Sequence, residues 1–329
     1  MFPAGAFFRR AAIAAASLAT VAIAHAAPAP RYSITEIAAP AMTWIEVTAV
    51  NNRGDVAGYF RSPQPGVSFE PEQGFLWSNG VLTPLGFPTA IRDSRIFGMN
   101  DKGVLVGGVG GGNAYTWQDG AWQDLGFMGE GHSINKSGAI AGTTHASGFS
   151  RGFFYANGVL WDIGMNTGFF QSFANSVNDK NVVVGTMEVN SIGNRHGFVW
   201  SAGTLTDVGT LGGPSSTLNG INNKGYAVGW SFDRDFGIAS AQWTGDLSRL
   251  VNAPGTHLAT AVNEHGAAVG TIDSGAFLYD SGVLTRLDQL PAVVNNGWTG
   301  LVPSAINDRG WIVGRGFRNG LPRGFVLIP

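Results

Sequence analysis

The apolar and polar positions of this chain repeat seven times. In each copy an apolar residue precedes an Asn, and a Gly stands seven positions after that Asn. Three positions after the Asn stands another Gly, replaced by Asn181 in the fourth copy. Apolar runs on both sides of Asn-x-x-Gly predict two strands joined by a tight hairpin, because Gly and Asn tolerate left-handed backbone conformations. The repeated asparagines, called anchor asparagines below, are Asn51, Asn100, Asn135, Asn178, Asn222, Asn263 and Asn307. The glycines seven positions later are Gly58, Gly107, Gly142, Gly185, Gly229, Gly270 and Gly314.

The residues just before each anchor alternate in size. Two positions before it the residue is always Gly, Ala or Ser, and one position before it the residue is always Val, Ile or Met. Successive side chains of a strand point to opposite faces, so we expect the small residues to face a close neighbour. Gly inside a strand usually marks the close approach of another group. For the Gly seven positions after each anchor, we expect that group to be an aromatic ring.

Each hairpin is followed by two more predicted strands. The third strand is short and aromatic, as at 197–200, and a turn such as Asn79-Gly80 leads to the fourth. Four short strands in every 35 to 49 residues is typical of a propeller blade. The seventh unit ends after its third strand, whereas residues 32–37 form a spare strand at the start. We therefore predict an all-β fold, a seven-bladed β-propeller closed by pairing of the N-terminal and C-terminal strands.

Unit four carries a resemblance to a known family. Its residues 195–200 (RHGFVW), followed by 205–216 (LTDVGTLGGPSS) and 221–222 (IN), resemble the HAF repeat of bacterial extracellular proteins. This unit alone keeps the His, as His196, and it has Gly197 where the repeat has Ala. The likeness extends, less fully, over nearly the whole mature chain. It implies a probable extracellular repeat protein, and it carries over no catalytic residue because the family is of uncharacterised function.

The first 26 residues have the pattern of a secretory signal peptide. Arg9 and Arg10 precede an apolar run at 11–24, and 24–26 resembles a small-x-small cleavage site. The run is shorter than the ~20 residues that a spanning helix needs. We expect the remainder, 27–329, to be a single propeller domain and a monomer, without a membrane span. Its expected location is extracellular or periplasmic.

Charge and composition narrow the class of partner. Without Arg9 and Arg10, 18 basic residues face 22 acidic ones, a formal charge of −4. With no basic stretch, the chain lacks the electrostatic pattern of a nucleic-acid-binding protein. Cysteine is absent, which excludes a disulfide framework and thiolate chemistry.

Sequence motifs for catalysis or metal binding are lacking. The histidines of the mature chain have no ligand spacing, and there is no Gly-x-Ser-x-Gly. We therefore predict no cofactor, no metal site and no catalytic residue. Loop carboxylates could still be brought together for glycoside cleavage, for example Glu70, Glu72, Asp233 and Asp235, but no spacing shows that they approach one another.

Aromatic residues outside the repeat are the candidate ligand-binding residues. In a propeller the tight hairpins share one face, and the variable loops share the other, here called the loop face, where function tends to lie. Trp44 and Trp298 precede the first strands of units one and seven, and Phe169 and Phe170 precede unit four. They form either an exposed patch for a protein or carbohydrate ligand or buried loop anchors.

The sequence favours a secreted, non-catalytic binding or interaction module of the cell envelope over an enzyme. The alternative is a propeller enzyme, a lyase or hydrolase, that acts on polysaccharide. Acidic residues clustered around one loop-face pocket would favour the enzyme. An aromatic face without converging charges would favour the binding module.

Overall fold

The computed structural model describes residues 31–329 except 64–67, 91, 146–147, 165–170, 191–192, 252–254 and 256. In this part of the chain nearly all regular structure is antiparallel β, with one short helix, α1 (Pro291–Val294), and a 3-10 turn at Leu287–Gln289. No helix among these residues is long and apolar enough to cross a membrane. The predicted signal peptide lies outside the described residues.

The strands follow the four-per-unit order that the repeats predict. The strand before the first unit is β1 (Ser33–Ile37). Units one to three comprise β2 (Trp44–Val50), β3 (Val56–Arg61), β4 (Glu72–Ser78), β5 (Val81–Pro84), β6 (Arg95–Met99), β7 (Leu105–Gly108), β8 (Asn113–Gln118), β9 (Ala121–Ile134), β10 (Ile140–Thr144), β11 (Arg151–Ala156) and β12 (Val159–Ile163). Strand β9 closes unit two and opens unit three, which joins the two units in one seven-stranded sheet.

The remaining units form separate four-stranded sheets. They comprise β13 (Ser172–Val177), β14 (Val183–Glu188), β15 (Arg195–Ser201), β16 (Thr204–Asp207), β17 (Gly212–Ile221), β18 (Ala227–Asp233), β19 (Ile238–Trp243), β20 (Leu247–Arg249), β21 (His257–Val262), β22 (Ala268–Ile272), β23 (Gly275–Asp280), β24 (Val283–Arg286), β25 (Trp298–Ile306), β26 (Ile312–Arg318) and β27 (Leu321–Ile328). In the described residues this makes six sheets.

The first strand of the chain completes the last unit. β1 runs antiparallel to β27, from Ser33 opposite Ile328 to Ile37 opposite Gly324, in a sheet of order β1-β27-β26-β25. The predicted pairing of the N-terminal and C-terminal strands is therefore observed. It covers an edge of β27 that would otherwise be open to another chain.

The hairpins have the backbone that the Asn-x-x-Gly pattern predicts. The third residue after every anchor is left-handed, with φ of 60° at Asn181 and between 76° and 94° at the six glycines. Five of the second turns have positive φ at both central positions, as with 51° at Asn79 and 85° at Gly80. Each anchor side chain also holds its own turn, as Oδ1 of Asn222 accepts the N–H groups of Lys224 and Tyr226 at 3.0 and 3.1 Å.

Every first strand contains a bulge three residues before its anchor. In unit five, Leu218 lies opposite Gly229 and Gly220 opposite Val228, so Asn219 has no partner on β18. A bulge turns the extra side chain to a new direction. The seven bulge residues all line a central channel, and they are Thr48, Phe97, His132, Asn175, Asn219, Thr260 and Ser304.

The bulge also explains the invariant glycine of the second strand. A Cβ added at Gly229 would collide with the carbonyl oxygen of Thr217 and lie 2.8 Å from its carbonyl carbon. In all seven units the nearest atom is the carbonyl oxygen five residues before the anchor. The expectation of an aromatic ring as the nearest group is therefore wrong. A ring is among the three nearest groups in units one, three and four, from Phe75, Phe153 and Phe198.

The small residues two positions before the anchors lie between neighbouring units. A Cβ at Gly220 would approach Cα of Ala261, the equivalent residue of the next unit, to 3.3 Å. This confirms that the small side chains face a close neighbour. The larger apolar residues, such as Val50, Met99 and Ile134, point the other way and line the channel.

Candidate functional site

The anchor asparagines join the units around the channel. Nδ2 of Asn222 donates to the backbone oxygen of Asn263 at 3.0 Å, and Nδ2 of Asn307 donates to that of Asn51 at 2.8 Å, which links the last unit to the first. Four equivalent bonds of 2.9 to 3.1 Å begin at Asn100, Asn135, Asn178 and Asn263. Asn suits this position because its amide both accepts and donates, whereas an ionised Asp only accepts.

A polar cavity of about 200 Å³ lies at the hairpin end of the channel. It is lined by the residue after each anchor, namely Asn52, Asp101, Lys136, Asp179, Asn223, Glu264 and Asp308. These side chains hold neighbouring turns together, as Oδ1 of Asp308 accepts the N–H of Glu264 at 2.9 Å. In the described part of the chain, no group of three or more His, Cys, Asp or Glu residues could hold a metal ion.

A larger cavity, about 320 Å³, lies at the loop end of the channel and is lined by the bulge residues. Most of them bond a backbone oxygen of the next unit, as Asn175 Nδ2 donates to Leu218 at 2.9 Å. Nδ1 of His132 lies 3.0 Å from the backbone oxygen of Ala174, and burial lowers the pKa of His132. Phe97 interrupts the polar ring and contacts His132 edge-on, with ring centroids 5.5 Å apart.

Charged side chains stand on the first strands of units one to three, two residues before the bulge residues that line this cavity. Glu46, Arg95 and Glu130 stand five residues before the anchors of units one, two and three, where the other units carry Phe173, Thr217, Leu258 and Val302. Arg95 binds Glu72, and its other nitrogens lie 3.5 Å from Glu130 and 3.8 Å from Asp93. Arg315 of unit seven lies 3.0 Å from Glu46. We call Glu46, Glu72, Asp93, Arg95, Glu130 and Arg315 the charged cluster.

Two carboxyl groups of the charged cluster have raised pKa values. Burial raises the pKa of Glu46 although the neighbouring Arg315 lowers it. Burial likewise raises the pKa of Glu130, against the effect of Arg95. Burial, with Glu46 and Glu72 nearby, raises the pKa of Tyr59 to about 12. Carboxyl groups that stay protonated at higher pH than usual are suited to act as general acids.

Solved structures share this arrangement of strands. The β-propeller domain of the Trilobed protease from Pyrococcus furiosus, described as having an open velcro topology, aligns with a TM-score of 0.57 and 7% identity, covering 87% of this chain and 94% of that one. An oligogalacturonate lyase in complex with manganese aligns with a TM-score of 0.53 and 12% identity, covering 90% and 93%. The fold is a β-propeller. No family model and no curated protein matches the chain, so the HAF-repeat resemblance and export from the cell stay predictions.

The aromatic residues expected to bind ligand have different positions in the propeller. Trp298 is only 4% exposed and packs edge-on against Phe325, with centroids 6.0 Å apart. Of the two alternatives for Trp298, the buried anchor is the one observed, because its ring lies in the core of unit seven. Trp44 is half-buried, and the guanidinium of Arg315 lies 4.9 Å from its ring centroid, beside the charged cluster. Phe169 and Phe170 lie outside the described residues.

The four candidate loop carboxylates do not share one site. Glu72 belongs to the charged cluster, and Glu70 accepts a hydrogen bond from Thr43. Asp233 is bound by Arg249 of its own unit and by the N–H groups of two residues of its turn, so it is engaged within unit five. Asp235 is exposed in the same turn.

The sequence motifs do not predict Glu46, Arg95 or Glu130 as site residues. A signal for them exists in the repeat, because three units carry a charge at an inner-strand position that the other four keep uncharged. Aligning the units on their anchors and looking for charges at this position would have found them.

Proposed function

We propose that this protein is a secreted, seven-bladed β-propeller enzyme that cleaves glycosidic bonds of a polysaccharide, as a hydrolase or a lyase. The observation that carries the proposal is the pair Glu46 and Glu130. Both stand on inner strands two residues before a bulge residue that lines the loop-end cavity, and each lies within 3.5 Å of an arginine. Burial raises the pKa of both. Converging acidic residues at a loop-face pocket favour an enzyme over the non-catalytic binding module.

Seven blades are supported by the repeats and by the bonds between them. Each of the seven units supplies four strands when β9 is counted in two units and β1 is counted with unit seven. The anchor amide of unit seven binds the backbone of unit one, as neighbours in a ring require.

The chemistry needs one group that donates a proton and one that accepts it. In hydrolysis, a protonated carboxyl group donates to the leaving oxygen while a carboxylate attacks the sugar or activates water. In a lyase, a base removes the proton beside a uronate carboxylate, the bond to the leaving oxygen breaks, and a carbon–carbon double bond forms. Glu46 and Glu130 are the candidates for these roles, and Arg95 and Arg315 would stabilise developing negative charge.

Aromatic rings near the carboxyl groups suit a sugar substrate. Tyr59 contacts Phe97 edge-on with centroids 5.8 Å apart, and Trp44 lies across the Glu46–Arg315 pair. The lyase with the TM-score of 0.53 is similar in fold alone. It is an example of a β-propeller that is an enzyme of this class.

The test is an assay of the mature protein on neutral and uronate polysaccharides. New reducing ends would report cleavage, and ultraviolet absorbance of an unsaturated product would separate a lyase from a hydrolase. We expect Glu46→Gln and Glu130→Gln each to lower the rate at least about 100-fold, the contribution of general acid–base catalysis. Asp235→Asn, in an exposed turn of unit five, is the control and should leave the rate unchanged.

Two results would count against the enzyme. Binding of a polysaccharide without any new reducing ends would favour the non-catalytic binding module. Cleavage that survives both Gln substitutions would show that the acid and base lie elsewhere on the propeller.

A further inference from the structure

A cleft of about 300 Å³ is lined partly by the charged cluster, but its other residues have no role in the reaction proposed above. Its walls include Phe69, just before β4, and Arg92, just before β6. It is also lined by Glu72 and Arg95 of the charged cluster. A ligand in the cleft would therefore lie beside the candidate catalytic residues.

Arg92 is the cation of this cleft that has no carboxylate partner among the described residues. Arg61 and Arg95 both bind Glu72, whereas no described Asp or Glu forms an ion pair with Arg92. Its side chain is exposed, so the guanidinium is available to a ligand. A planar guanidinium is well suited to hold a carboxylate through two parallel hydrogen bonds.

The backbone of Arg92 is strained. Its φ is 51°, in the left-handed region that is unfavourable for a residue with a bulky side chain. Strain of this kind persists where the surrounding structure enforces it, and it concentrates at ligand sites. Glycine would adopt this backbone without the cost. The strain therefore gives a reason to ask what the Arg92 side chain contributes.

Two further groups in the cleft, the carboxylate of Asp93 and the ring of Phe69, could contact a sugar. Oδ2 of Asp93 accepts the N–H of Gly110 at 2.9 Å, but its Oδ1 is buried and accepts no hydrogen bond from the described residues. The Asp93 side chain as a whole is 20% exposed, and a carboxylate oxygen that already accepts one hydrogen bond can accept another from a ligand hydroxyl. Phe69 is 57% exposed, so its ring offers an apolar face to a sugar.

We propose that this cleft binds a uronate residue of the polysaccharide, so that the substrate is an acidic one. Arg92 pairs with the sugar carboxylate, Asp93 accepts a hydroxyl, and Phe69 packs against the face of the ring. The inference rests on the proposed function for the polymer. Binding at the cleft can be measured without turnover, because the Glu130→Gln protein retains every group of the cleft.

The experiment is calorimetric titration of the mature Glu130→Gln protein with oligosaccharides of galacturonate, mannuronate and glucuronate. Neutral oligosaccharides of the same lengths and linkages serve for comparison. We expect at least one uronate series to bind at least tenfold more tightly than its neutral counterpart, with affinity falling as salt rises. Adding Arg92→Gln should abolish that preference and leave neutral binding unchanged. Arg234→Gln, at an exposed arginine of unit five, is the matched control and should change neither.

A second variant distinguishes the loss of a ligand contact from the loss of folded structure. Arg92→Gly should remove the uronate preference and also raise the melting temperature, because glycine relieves the left-handed strain. A lost preference with unchanged or improved stability cannot come from unfolding. If Arg92→Gly keeps the preference, Arg92 does not hold the carboxylate and the proposal is wrong.

The two proposals fail in different ways. Cleavage or binding of neutral polysaccharides with no uronate preference would overturn the acidic-substrate inference and leave the enzyme standing. Uronate binding that depends on Arg92, without cleavage by the wild-type protein, would support the cleft and overturn the enzyme. If none of the three uronate series binds, the cleft is not a uronate site.

Discussion

Gly229→Ala tests whether the bulge and its facing glycine hold each unit together. The added methyl group would collide with the Thr217 oxygen and lie 2.9 Å from Cα of Leu218, both atoms of the neighbouring backbone. A backbone cannot rotate away as a side chain can, so β17 and β18 would have to separate. Overpacking costs about 1–3 kcal/mol, and a lost ladder hydrogen bond adds about 1 kcal/mol.

We therefore expect Gly229→Ala to destabilise the protein by about 3 kcal/mol, because both costs apply. In a chain of this size the melting temperature should fall by roughly 5–10 °C. Circular dichroism and chemical denaturation of the mature protein would measure it.

The control is Gly220→Ala on the facing strand. Its new methyl group would meet Ala261 at 3.3 Å, and Ala49, Ala261 and Ala305 occupy the same position in other units. We expect a change within about 1 kcal/mol, since three other units accommodate Ala at the position of the buried Gly220. Equal stability of the Gly229→Ala and wild-type proteins would refute the account of the bulge.

Three further predictions follow from buried groups. Trp298→Ala should cost about 3–5 kcal/mol, as for other buried aromatic residues, and a melting temperature within error of the wild type would contradict its burial in unit seven. Asn222→Asp should cost about 2–4 kcal/mol, because it loses the donor to Asn263 and buries a charge, whereas Asn79→Asp should be neutral since Asp119 occupies the same turn position in unit two. The pKa of Glu130 is raised in the folded protein. Its contribution to the free energy of unfolding is therefore complete below the pKa that Glu130 has in the unfolded chain, and it is lost as pH rises through the pKa of the folded state. The melting temperature of the wild type should therefore fall relative to Glu130→Gln across that window, and parallel pH profiles would show that Glu130 is not perturbed.

The repeat pattern was enough to predict most of the fold. Left-handed backbone at Asn181 and at the turn glycines follows from residue type, because few other residues adopt it without strain. The spare strand at 32–37 and the missing one after Pro329 predicted the pairing of β1 with β27. These features depend on local geometry and on counting strands, which a single sequence contains.

The site depended on contacts between units. Nothing local shows that Asn219 or His132 bulges into a channel, or that the neighbour of Gly229 is a carbonyl oxygen of another strand. Trp298 and Trp44 occupy similar places in the repeat, yet one is buried against Phe325 and the other lies beside Arg315. Burial raises the pKa of Glu46 and Glu130 against the effect of the neighbouring arginines, and both burial and these neighbours are properties of the assembled propeller. Residue type and spacing therefore determined the strands and turns, whereas only the packing of one unit against the next decided which side chains meet.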